Sequence, residues 1–143
     1  MDFASVAAMD EISKQEFFSA ILSSNILVPY LEQNPYLAEM IKSPDHPDIH
    51  YFEKPSPAKE IAPSLKNRLT VLAAKNISHN LEATRQLVAF MEKYPDSQIY
   101  NVAFNCPTQH YGVRCALIDN QVRVICVMTG GHLPDELWGE KSP

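Results

Sequence analysis

The chain has 143 residues, 45% of them hydrophobic and 20% charged, with a formal net charge of −5. This balance excludes a disordered acidic tail, a collagen-like fibre and a disulfide-dense miniprotein. No stretch nears the roughly 18 continuous apolar residues of a membrane span, and Met1-Asp2-Phe3-Ala4-Ser5 lacks the basic, then apolar, pattern of a secretory signal. The length is that of a single domain over 1–143.

Residues 1–111 contain no glycine, which disfavours tight hairpins there and suits helices. The first helix is expected near Asp10 or Ser13. Ser13-Lys14-Gln15-Glu16 has capping-box spacing, and Phe17/Ile21 and Phe18/Leu22 are i,i+4 apolar pairs. Asn34-Pro35 signals a second short helix, with Asn as N-cap, Pro at the first helical position and Leu37, Met40 and Ile41 as its apolar stripe. Residues 44–63 hold five prolines and form a connector, inside which Ile49-His50-Tyr51-Phe52 has the composition of a short edge strand. A third helix is expected from Ala62 to Asn76, marked by Leu65, Leu69 and Leu72. A fourth follows a Ser78 or Asn80 cap and ends before Pro95, with Ala83, Leu87, Val88 and Met91 inward. The short link between these helices predicts an antiparallel hairpin.

The last third alternates with period two: Tyr100, Val102 and Phe104; then Val113, Cys115 and Leu117; then Val122, Val124, Cys126 and Met128. Asp119-Asn120 is a turn pair. If it forms the two-residue loop, Cys115 faces Val124; if Asn120-Gln121 does, Cys115 faces Cys126. In either register Val113, Cys115, Leu117, Val122, Val124 and Cys126 are expected on one inner face. The tail after Gly130-Gly131-His132 offers Trp138 as an anchor. The fold class is α+β: N-terminal helices (1–43) and a helical hairpin packed on a C-terminal three-stranded antiparallel meander (hairpin plus sheet, 64–143), with a short extra edge strand.

Few residue sets have the parts of a chemistry. His46 and His50 are four apart, but Pro47 argues against a helix carrying both, and Cys106 and His110 have no second pair at zinc-site spacing. No metal and no cofactor is expected. Cys106 and His110 share one loop as a candidate thiol and base. His110-Tyr111-Gly112-Val113 looks like the histidine strand of papain-like and acyltransferase cysteine enzymes, yet no cysteine matches their helix-borne nucleophile. The three cysteines, Cys106, Cys115 and Cys126, fit reduced thiols in a cytoplasmic setting. Asn101, Asn105, Arg114 and Arg123 share the parity opposite the apolar faces. An arginine pair there with Asn donors and His110 at the rim suits a phosphate or carboxylate.

The order of short strand, helical hairpin and meander, with His110-Tyr111-Gly112-Val113-Arg114 and Val122 to Val127 as paired strands, resembles RelE/ParE-type toxins. That resemblance implies ribosome-dependent messenger cleavage or gyrase poisoning, with His132 and Trp138 as loose counterparts of the C-terminal catalytic residues. Such toxins are usually basic, unlike this chain.

The charge is lopsided. Residues 1–55 sum to −6 and residues 56–143 to +1, which repels nucleic acid and anionic membrane and draws a basic protein partner. The expected function is therefore a non-catalytic protein-binding module, an inhibitor, immunity-type protein or adaptor. It would bind through Asp10, Glu11, Glu16, Glu32 and Glu39 on the N-terminal helices, with Asn101, Arg114 and Arg123 as further binding residues. The alternative is a small ribonuclease or hydrolase using His110, Arg114, Arg123, His132 and Cys106.

Overall fold

The structure is a computed structural model that describes residues 11–51, 55–75 and 78–130. In chain order it has helices α1 (Glu11–Ser23), α2 (Val28–Leu31) and α3 (Pro35–Met40), strands β1 (Ile49–Tyr51) and β2 (Ser56–Pro57), helices α4 (Ala58–Ala74) and α5 (Ser78–Lys93), and strands β3 (Gln98–Asn105), β4 (His110–Ile118) and β5 (Gln121–Gly130). The sheet is antiparallel in the order β1-β3-β4-β5, and β2 pairs with the start of β3. The α+β class, the helical hairpin, the β3–β5 meander and the extra strand at Ile49 all stand as the pattern implies. Tryptophan 138 and His132 lie outside the described residues, as does Asp10.

Local chemistry explains most element boundaries. Asn34 Oδ1 accepts from the Leu37 amide at 3.2 Å, so Asn34 caps α3 with Pro35 at its first position. Helix α1 already includes Glu11, in line with the Asp10 start rather than the Ser13 one, so Ser13 is an interior residue rather than an N-cap. One boundary differs from the sequence pattern. Helix α4 starts at Ala58, inside the proline-rich connector, and holds Pro63 within it. At its sixth position Pro63 forfeits only the bond to the Lys59 carbonyl, while the Ala58 amide donates to Ser97 O at 2.9 Å and ties the helix start to the β3 entrance.

The sheet is buried on both faces. On one, Phe17, Phe18, Ile21, Leu37 and Met40 from α1 and α3, with Leu27 from the turn before α2, pack on Val102, Phe104, Tyr111, Val113, Cys115 and Val127. On the other, Ile61, Leu65, Leu87 and Met91 from the α4–α5 hairpin pack on Ile99, Ala103, Ala116, Cys126 and Met128. Two amphipathic layers each need an apolar surface to cover, and one sheet supplies both. Of the expected helical stripes, Leu22 is exposed and Leu69 only half-buried, whereas Leu65 and Leu72 are buried.

Asp119 and Asn120, at φ 52° and 64°, form the two-residue turn, with Ile118 opposite Gln121 and Cys115 opposite Val124. Both residues tolerate the left-handed region that such a hairpin demands. The ladder then shifts. Arg114 pairs with Cys126, leaving Ile125 as an inserted residue. The expected single inner face is thereby corrected. Val122 and Val124 pack with Cys115 under the N-terminal layer, while Cys126 and Met128 turn to the hairpin layer.

Candidate functional site

The parity that groups Asn101, Arg114 and Arg123 is real, but the face is not solvated. It is the face beneath the helical hairpin. Arg114 is fully buried and Asn101 is 6% exposed, and the two are direct cross-strand partners. Asn101 Oδ1 takes no hydrogen bond among the described residues. The expected exposed arginine pair is therefore corrected. Arg114 sits opposite Cys126, out of reach of a ligand arriving from solvent, and only Arg123, opposite Ala116, is exposed. The sequence shows alternation, and alternation alone does not say that a second helical layer claims the polar-looking side.

His110 does not complete the group either. It lies at the start of β4, six residues from Ala116, a span of about 20 Å along the strand. Its Nδ1 is 2.7 Å from Asn105 Oδ1. Cys106 is buried, and its thiol donates to Met40 Sδ at 3.6 Å. Burial pushes its pKa up to about 11, a shift that a hydrogen bond with Asn34 partly opposes. A thiol held protonated in an apolar setting is a poor nucleophile. Burial likewise raises Cys115, and it pushes Cys126 up to about 12 despite the neighbouring Arg114 charge. All three cysteines are free thiols.

The N-terminal layer presents its carboxylates to water. Glu16, Glu32 and Glu39 are all exposed. Glu39 is taken by Lys42 at 2.7 Å, which holds its carboxyl below the usual range, and Asp45 is taken by Lys14 at 2.8 Å. Among the described residues Glu16 and Glu32 have no ion pair.

Three contacts that the sequence does not announce gather at the end of the sheet where β4 begins and β5 ends. The Tyr30 hydroxyl lies 3.0 Å from His79 Nε2, joining the two helical layers beyond the sheet margin. Asn34 Nδ2 donates to the Tyr111 hydroxyl at 3.2 Å. Asn80 Nδ2 donates to Thr129 O at 2.7 Å while its Oδ1 accepts from the Thr129 amide at 3.0 Å. The Asn80 side chain thus occupies the place of a neighbouring strand against Thr129. No local pattern predicts it, because the partners are 49 residues apart.

Among the described residues no three His, Cys, Asp or Glu side chains gather as a metal cluster, and no helix is long and apolar enough to cross a membrane. Comparison with protein-family models, with curated proteins and with solved structures finds no match.

Proposed function

We propose that the protein is a non-catalytic binding module, of inhibitor, immunity or adaptor type, that engages a basic protein partner through its N-terminal helical layer. The observation that carries this reading is the pair of exposed carboxylates, Glu16 and Glu32, that no described cation neutralises, on a layer whose opposite side is committed to the core. Unneutralised surface charge steers association, although each exposed pair adds only about 0–1 kcal/mol to affinity. The competing ribonuclease or hydrolase reading keeps the element order of RelE/ParE-type toxins, but it needs Arg114 to meet a substrate, and Arg114 is sealed beneath the hairpin.

The test is capture of a stoichiometric partner from the native host by the whole protein, followed by association kinetics. Reversal of Glu16 and Glu32 to Lys should slow association, more at low salt than at high. If the reversals are silent, or if only RNA is recovered, the reading is wrong.

A further inference from the structure

The geometry points to the first half of the β5 edge, Gln121–Val124, as a docking site for an extended segment of a partner protein that carries an acidic residue between two apolar ones. The inference rests on the protein-binding reading but not on the acidic surface.

Among the described residues β5 has a strand neighbour on one side only. Its outward backbone groups follow from the register. A two-residue turn makes Ile118 and Gln121 the closing pair, which exchange both hydrogen bonds. Gln121 and Arg123 therefore spend their amides and carbonyls on β4, and those of Val122 and Val124 point away from the sheet. Beyond the inserted Ile125 the direction shifts by one residue, in agreement with Thr129, whose outward amide and carbonyl Asn80 takes. The far half of the edge is thus closed by α5, while no described residue bonds to the near half. Gln121 and Arg123 are exposed, and Val122 and Val124 are half-buried.

Three features set what fits. Outward amides and carbonyls two residues apart match the repeat of an extended chain. Val122 and Val124 turn their side chains to the N-terminal face, where they adjoin the apolar core, and so prefer apolar neighbours. Arg123 turns to the other face with no ion pair among the described residues, and it falls at the non-hydrogen-bonded position, where facing side chains come closest. A carboxylate there is matched in charge.

A second copy of the chain fits badly. A two-fold axis on residue 123 sets guanidinium against guanidinium. An axis on Val122 sets Val124 against Asn120, whose φ of 64° takes it out of the strand.

The experiment uses the whole, isotopically labelled protein and the peptide acetyl-Thr-Val-Glu-Val-Thr-amide. Titration to a few millimolar should move the Val122 and Val124 amide resonances most. The same peptide with Lys in place of Glu should bind about tenfold more weakly, given the energies of facing charges across strands. Arg123→Glu, an exposed change whose folding the dispersed spectrum verifies, should reverse that preference. Absence of shifts at these amides, or equal affinity of the two peptides, overturns the inference. So does concentration-dependent movement of the same amides without peptide, which would assign the edge to a second copy. Shifts confined to Glu16 and Glu32 overturn the edge while leaving the acidic surface in place.

Discussion

Replacing Phe17 with Ala should destabilise the protein by about 3–5 kcal/mol, the usual cost of truncating a buried phenylalanine. Phe17 is 1% exposed, and its ring lies 5.1 Å from the Tyr100 ring at 48°. An aromatic side chain buries about 150–250 Å², worth about 4–6 kcal/mol at 25 cal/mol per Å² against the unfolded chain, of which alanine keeps a part. A domain this size has a total stability of about 5–15 kcal/mol, so the change is large and easily read. Urea unfolding followed by far-UV circular dichroism gives the midpoint and the slope. The midpoint should fall markedly with the slope unchanged. A loss under about 1 kcal/mol would show that α1 is an appendage rather than one side of the core, and the two-layer account of the sheet would fall with it.

The thiols and the sheet edge give two more expectations. Cys106, Cys115 and Cys126 should resist a thiol reagent in the native state and react together in urea. Because the folded pKa values of Cys106 and Cys126, about 11 and about 12, stand above the ordinary 9.0, the thiols' contribution to stability should be constant below about pH 9 and lost as pH rises from there toward 12; a urea midpoint that stays flat between about pH 9 and 12 would refute their burial. Asn80→Ala should speed hydrogen exchange at the Thr129 amide by at least about fivefold, the loss of roughly one net hydrogen bond, and unchanged protection there would mean that Asn80 is not the partner.

The sequence carried the elements better than their assembly. Asn34-Pro35, the Leu65 and Leu72 stripe, and Asp119-Asn120 each state local chemistry, and each stands where it was expected. Arg114 is the instructive failure. Its alternation with Val113 and Cys115 assigns it the correct face, but period two cannot say whether that face meets water or a helix. The answer depends on where the hairpin docks, 21 to 56 residues before it along the chain. Cys126 fails for a different reason. Val122, Val124, Cys126 and Met128 look like one unbroken alternation, and the inserted Ile125 has no signature of its own, since it is as apolar as its neighbours. The acidic N-terminal charge was plain from composition, yet which carboxylates stay free needed the Glu39–Lys42 and Lys14–Asp45 pairs.

The double burial of β5 bears on how the molecule comes apart. Its consecutive residues alternate between the two cores, Val127 to the one under α1–α3 and Cys126 and Met128 to the one under α4–α5. Neither layer can lift away while leaving β5 fully supported for the other, so loss of β5 strips two cores in one step. Melting of the two helical layers is therefore expected to coincide in a single cooperative transition, which unfolding followed by two different probes would check.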